Sequence, residues 1–408
     1  MKEIGFKLYL LFVVSWYLQL PGRIPILGAI RFDLLLFVAL AVLAIIESVH
    51  NTRVEESPIH KNLKILIIYV ILSIPFVEWP GTVAKYGLVQ FLKASFFFFF
   101  TIIFISNEKK LKIFLTIYLA CQSLRVMEPL YLHITEGYWG GSASMLGGQE
   151  FMTRLSGSPY DMINPNGLAF IIVTIIPFLY YFSAISLKHK AIFFTLLPPL
   201  LYALILTGSR SGLIGLLIFV FYIIYKSSKK IILLPIILTI SIAVFLNLSP
   251  DLQDRYLSIF KSDTKNYATV TDRITVPIEM SKLILRKPFV GHGLGTSLEA
   301  NANYGTIFIL PHNLYVELGI EIGLIGTWIF ILFMKSIIIE LLRAYSLMKS
   351  KFTERIFLLK CSESLLIILF MNIVFTFASY GLLVPVWYFL GGLIVVLRRM
   401  SAEQIVEL

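Results

Sequence analysis

Residues 311–342 read PHNLYVELGIEIGLIGTWIFILFMKSIIIELL. A proline, a histidine and an asparagine open a run long enough to cross a bilayer, which takes about 20 apolar residues. Glu317 and Glu321 lie inside it, one helical turn apart, together with Gly319, Gly323 and Gly326. Ionisable groups at such depth are costly and take a functional or a paired role. Pairing with a basic residue on a neighbouring helix is the reading preferred for the two glutamates. The glycines recur at i, i+4 and i+7, a spacing that predicts one smooth helix face for close packing.

Similar apolar runs recur along the whole chain. Of its 408 residues, 58% are hydrophobic and 14% charged, too little polar surface for a soluble protein of this length. The reading is an all-α integral membrane protein, a single polytopic domain over 1–408. Twelve transmembrane helices fit, at 5–20, 25–46, 63–77, 83–105, 111–133, 165–186, 191–207, 211–226, 231–247, 313–342, 355–379 and 382–397. The first has no small-residue cleavage site after it and reads as a retained helix. FFFFF at 96–100 lies within a span as lipid- or core-facing bulk. Cys121 and Cys361 also fall within spans and form neither a disulfide framework nor a metal cluster.

The formal charge of +11 invites a nucleic-acid reading, but the basic residues sit in alternate short connectors. These hold Arg53, Lys61 and Lys64; Lys109, Lys110 and Lys112; Lys188 and Lys190; Lys226, Lys229 and Lys230; Arg343, Lys349, Lys351 and Arg355; then Arg398 and Arg399. Such a distribution sets membrane topology and places both termini in the cytoplasm. Three segments then face the other side: 134–164, the turn at 207–212, and a long loop at 248–312. The loop predicts a helix over about 272–286, capped by Thr271 or Asp272, followed by GHGLGTS. Chemistry on that face has no direct access to ATP and needs an activated substrate.

Several residues there could carry chemistry. Arg210 sits in a tight turn with Ser209 and Ser211, where helix N-terminal amides and a guanidinium both favour an anion, phosphate above all. Alternatively, it is an interfacial arginine reaching the headgroups. Arg273 opens the loop helix, and Arg154 precedes the Pro/Asn-rich entry to a span that Asn164 is expected to cap. His312 can accept a proton from a hydroxyl, since imidazole titrates near neutral pH. Asn313 could orient that imidazole or a substrate, and His292 in GHGLG is a rival base. Arg31 and Asp33 are expected to form an ion pair.

Together these stretches resemble the O-antigen ligase and O-antigen polymerase superfamily of bacterial envelope glycosyltransferases. TGSRSGLIGLL (207–217) is similar to the family's arginine turn. TDRITVPIEMSKLILRKPFVGHGLG (271–295) is similar to its long periplasmic loop. HNLYVELGIEIGLIG (312–326) fits the ligase-type pattern of His312, Asn313, Gly323 and Gly326. RLSGSPYDMINPNGLAF (154–170) looks like the segment entering the sixth span.

The resemblance implies a GT-C-like architecture with a helical periplasmic loop, in the bacterial inner membrane. It implies a metal-independent, cofactor-free, inverting transferase whose donor is an undecaprenyl-pyrophosphate-linked glycan. Arg210 and Arg273 would hold the pyrophosphate, with Arg154, Ser209, Ser211 and Asn313 about the substrate and His312 as base. The acceptor would be lipid A-core for a ligase or a second lipid-linked repeat for a polymerase; the fit of the His312 pattern favours the ligase. A lipid-linked-sugar transporter is the competing class, which calls for mid-membrane charges and internal repeats.

Overall fold

The computed structural model describes residues 2–50, 57–140, 154–258, 261, 263–264, 268–305, 311–351, 356–379 and 381–402. Arg53, Arg355 and part of the 134–164 segment lie outside the described residues. The helices are α1 Lys2–Leu18, α2 Phe32–His50, α3 Pro58–Ser73, α4 Leu88–Phe104, α5 Glu108–Glu136, α6 Pro165–Phe182, α7 Leu187–Leu206 and α8 Arg210–Lys226. They continue with α9 Lys230–Leu246, α10 Pro250–Leu257, α11 Ala268–Ile284, α12 Ser297–Tyr304, α13 Leu314–Lys351, α14 Ile356–Phe375 and α15 Val386–Ala402.

Among the described residues, seven helical stretches are long and apolar enough to cross a membrane: Phe32–Val49, Pro58–Phe76, Pro80–Phe104, Pro165–Phe182, Leu187–Leu206, Leu314–Ser350 and Ile356–Phe375. The other expected spans coincide with helices that are shorter or more charged. The second span differs from expectation. Pro21 and Pro25 each start a short helical piece, Leu20–Arg23 and Pro25–Ala29, and the long helix begins only at Phe32. Arg31 and Asp33 form no ion pair among the described residues; Asp33 instead accepts a hydrogen bond from Ser15.

The chain falls into two compact units, one of Met1–Ser15, Ile26–Ile117 and Arg273–Leu408, the other of Trp16–Pro25 and Tyr118–Asp272. The first unit has an aromatic core. Phe97, Phe98 and Phe100 of the phenylalanine run are buried, and α15 packs on them where Gly391 and Gly392 offer no side chain. Tyr9 stacks on Phe114 at 5.3 Å and shares a 2.8 Å hydrogen bond with Thr101. Helices α3 and α13 run antiparallel, since Asn62 reaches the Leu332 carbonyl (3.1 Å) while Tyr69 reaches that of Ile322 (2.8 Å).

In the second unit, the chain entering α6 is tied down residue by residue. Leu155 N–H donates to the Leu206 carbonyl (2.9 Å), and Gly157 N–H to that of Ile163 (2.8 Å). Asn164 caps α6 by accepting from Gly167 N–H at 2.8 Å, as its place in Asn-Pro-Asn predicts. Asp161 is held by both Arg125 Nε (2.7 Å) and Nη2 (3.1 Å), and Arg23 makes a two-point pair with Glu128.

Candidate active site

The glycine row in α13 is not one smooth face. Gly323 has φ +64°, a left-handed backbone that interrupts the helix. An unbroken helix would bond the amides of Leu324 and Ile325 to the carbonyls of Ile320 and Glu321. The loop at 288–293 supplies all four partners instead. Leu324 N–H donates to the Pro288 carbonyl (2.7 Å) and Ile325 N–H to that of Phe289 (3.4 Å). His292 N–H donates to the Ile320 carbonyl (2.7 Å) and Gly293 N–H to that of Glu321 (3.0 Å). Irregular backbone survives within a membrane protein only when its polar groups are met in this way.

A Cβ on Gly323 would collide with the Phe289 carbonyl, and one on Gly291 with the backbone of Glu321. Gly323→Ala is therefore expected to cost at least about 3 kcal/mol, combining left-handed strain with lost loop bonds. A drop in thermal midpoint in detergent, with full-length protein still inserted, would show it.

The glutamates pair with main chain rather than with a cation. Glu317 Oε2 accepts from the amides of Gly381 (2.8 Å) and Leu382 (3.2 Å). Glu321 Oε2 accepts from Gly295 N–H (2.7 Å) and Oε1 from the Ser297 hydroxyl (2.7 Å). No ion pair to either glutamate occurs among the described residues. Their physical role is to hold two loops, one leading into α15 and one at the start of α12. The expected basic partner is not needed, because amide and hydroxyl donors satisfy the buried carboxyl groups.

At the start of α13 three successive carbonyls past the end of α14 are taken up. Leu314 N–H donates to the Thr376 carbonyl (2.8 Å), Asn313 Nδ2 to that of Phe377 (3.3 Å), and Arg273 Nη1 to that of Ala378 (3.0 Å). Arg273 and the His312–Asn313 pair are thus anchored on one three-residue turn. Asn313 is the helix cap: its Oδ1 accepts from the amides of Tyr315 (3.0 Å) and Val316 (3.2 Å). Its side chain is committed to the turn and to the cap. His312 is half-buried with φ +45°, a conformation uncommon outside glycine. Helix α11 begins at Ala268, so Thr271 and Asp272 lie inside it rather than capping it.

His292 is placed very differently. It is fully buried; its Nδ1 lies 2.7 Å from Glu78 Oε2 and its Nε2 2.9 Å from the Leu283 carbonyl. Trp79 stacks on the ring at 5.7 Å. Both nitrogens face acceptors, so the ring is a brace between loops. Partial burial raises the Glu78 carboxyl, but hydrogen bonds to Tyr304 and His292, and the charges of His292 and Lys287, outweigh it and hold the group below its ordinary value. A carboxyl lowered in the folded state stabilises the fold above its unfolded pKa, and that contribution is lost as pH falls through the lowered value. The thermal midpoint is expected to fall on acidification below about pH 4, and Glu78→Gln to flatten that fall.

The turn before α8 gathers three arginines of the second unit. Ser209 is buried and caps α8, its Oγ accepting from Gly212 N–H at 3.2 Å. Arg210, half-buried at the first position of α8, donates from Nη1 to Ser258 Oγ at 2.7 Å. Ser211, the next residue, is also half-buried. Arg154 is buried; its Nε donates to the Thr207 carbonyl (2.8 Å) and its Nη2 to Asn166 Oδ1 (2.9 Å).

Sequence reasoning missed Arg255. It is buried in α10, and its Nε donates to the Gly208 carbonyl at 2.8 Å. Ser249-Pro250-Asp251 does signal a helix start there, but nothing in the helix marks which side chain reaches the turn. Arg255→Ala leaves the Gly208 carbonyl unpaired, an expected cost of roughly 1–3 kcal/mol read as a lower thermal midpoint.

No curated protein matches the chain. Residues 191–331 match the family model described as O-antigen ligase. That stretch holds the Arg210 turn, Arg255, Arg273, the loop at 288–293, His312, and α13 through its break at Gly323. Over this region, about a third of its length, the chain is similar to the O-antigen ligase family.

Proposed function

We propose that this protein is an O-antigen ligase. In this reading it moves a glycan from undecaprenyl pyrophosphate to lipid A-core at the periplasmic face of the bacterial inner membrane. The observation that supports the reading is the turn at 376–378, whose carbonyls accept from Arg273 and from Asn313 and Leu314, the two residues that follow His312. A guanidinium and an imidazole borne by segments that share one turn would suit a reaction that moves one proton and releases one polyanion.

The roles follow from chemistry, each assigned within its own unit. His312 takes the proton from the acceptor hydroxyl as that oxygen bonds to the anomeric carbon. The bond from that carbon to the pyrophosphate oxygen breaks on the opposite face, which inverts the configuration. Undecaprenyl pyrophosphate departs with the electron pair. Arg273 meets the charge that grows on the leaving group, as preorganised donors do. Arg210, at a helix N-terminus and with Ser258 as a partner, is assigned to anion binding in its own unit, a pyrophosphate being the anion the reading calls for. Arg154 and Ser209 keep the shape of the Arg210 turn, Asn313 that of the His312 turn, and Ser211 lines the approach to Arg210. Two guanidinium groups supply the positive charge, so this reading calls for no metal or cofactor.

The matched family covers polymerases as well as ligases, so the alternative acceptor is a second lipid-linked repeat. The spacing from His312 to Gly323 and Gly326 favours the ligase. Purified protein, lipid-linked donor and lipid A-core, separated on a gel, test it. Glycosylated lipid A-core supports the ligase. A ladder of longer lipid-linked glycan that forms without lipid A-core means a polymerase.

A further inference from the structure

Helix α11 lies in the stretch read from sequence as an aqueous loop. Its inner face carries Val276, Met280 and Leu283, which pack with Ala300 and Ile320 into a buried apolar cluster, with Ile284, Val316 and Trp79 at its edge. That accounts for one side. The opposite side is apolar too. Ile274, Ile278 and Leu285 recur at intervals of four and seven, which keeps them in one line. They are 61%, 62% and 78% exposed, and Phe289 just beyond is 68% exposed. A helix in water that is apolar on both sides is out of place.

The surroundings say what covers this line. Helix α11 is tied at two points to the ends of membrane helices. In its second turn, Arg273 donates to the Ala378 carbonyl past α14. At its end, Leu283 accepts from His292, whose own carbonyl accepts from Glu78 N–H (3.0 Å) just past α3. The line also continues onto a span. Tyr69 OH lies 3.2 Å from the Phe289 carbonyl. Leu72, one turn on from Tyr69 in α3, and Phe76, in the short helical turn that follows, are 66% and 67% exposed on a stretch long and apolar enough to cross a bilayer. Beside Leu285 and Phe289 stand Lys282, Arg286 and Lys287, with the Arg286 guanidinium 4.3 Å over the Tyr304 ring. The exposed acids Asp272 and Glu279 lie off the apolar line. An apolar stripe edged with cations and aromatic rings fits a helix lying in a lipid interface.

We propose that α11 is seated in the bilayer, with Ile274, Ile278, Leu285 and Phe289 against acyl chains and Lys282, Arg286 and Lys287 among anionic headgroups. The inserted loop at 288–293 is then part of the membrane-embedded surface, and Arg273 opens directly onto the lipid phase. This inference rests on packing alone and stands or falls independently of the reaction.

Spin labels on cysteine variants of the full chain test it, in proteoliposomes of phosphatidylethanolamine and phosphatidylglycerol. Native Cys121 and Cys361 are buried, so wild type serves as the blank. Ile278→Cys and Ile274→Cys are expected to collide with oxygen several-fold more than with a water-soluble nickel chelate, as Leu72→Cys does. Glu279→Cys is expected to show the smaller ratio. Equal access of chelate and oxygen at both isoleucine positions would overturn the proposal, and so would protection from both, which would mean that protein covers the line. Both substitutions are at exposed sites, and labelled protein that elutes as wild type confirms folding without any assay of activity.

Discussion

His312→Ala is expected to lower the turnover of glycan transfer by about a thousandfold, within the range that a positioned general base supplies. Lipid-linked donor should still bind, because the guanidinium groups assigned to its pyrophosphate are untouched. The replacement also removes a non-glycine residue at φ +45°, so folding has to be checked separately from chemistry. Asn313 provides that check. Its cap and its bond to Phe377 hold the turn whether or not an imidazole is next to it. His312→Gly, which accepts positive φ without strain, should therefore fold as well as wild type and still fail to transfer. Full activity in the glycine variant would remove His312 from the reaction. The fully buried His292, with both ring nitrogens occupied, would not be an obvious substitute.

Arg273→Ala is expected to cost transfer about a hundredfold to a thousandfold, the usual loss when one donor to a developing anion is removed. Arg273→Lys should recover little. A lysine keeps the charge but loses the planar fork, which donates to the Ala378 carbonyl from Nη1 and matches phosphate geometry. Arg210→Ala is expected to behave similarly. Ser258→Ala, which removes one partner of Arg210 and the bond of that hydroxyl to the Arg255 carbonyl, should produce a smaller loss. A split between KM and kcat is informative here. Loss of a contact made mainly to the departing pyrophosphate lowers kcat, while loss of plain donor binding raises KM. An unchanged kcat in both alanine variants would contradict the roles assigned to the two guanidinium groups.

The helices and some local signals were legible in the sequence for different reasons. Long apolar runs announce membrane helices directly, and seven of the expected spans overlap helical stretches long and apolar enough to cross a membrane among the described residues. The capping role of Asn164 was legible because Asn-Pro-Asn is a local signal acting over three residues. Gly323 misled because i, i+4, i+7 spacing reads as a helix face, and the break becomes visible only with the loop that repairs it. The glutamates raised the right question, since a carboxylate at that depth must be satisfied. Their partners, the amides of Gly381, Leu382 and Gly295, have no side-chain signature and so left no trace in residue types. Arg255 and the outer line of α11 were hidden for the same reason. Each takes its meaning from elements brought close only by folding. Helix α11 is periodic on both sides, and a reading that assigns a loop to water has no place for the second stripe.

The most direct measurement is the fate of the donor's lipid. Purified protein in proteoliposomes is supplied with undecaprenyl-pyrophosphate-linked glycan, with and without acceptor, and free undecaprenyl pyrophosphate is quantified. The expected result is release in step with acceptor glycosylation, none without acceptor, and none above background in His312→Ala. Donor that crosses the bilayer intact, with no pyrophosphate lipid released when acceptor is present, would contradict the account and mark the protein as a carrier rather than a transferase.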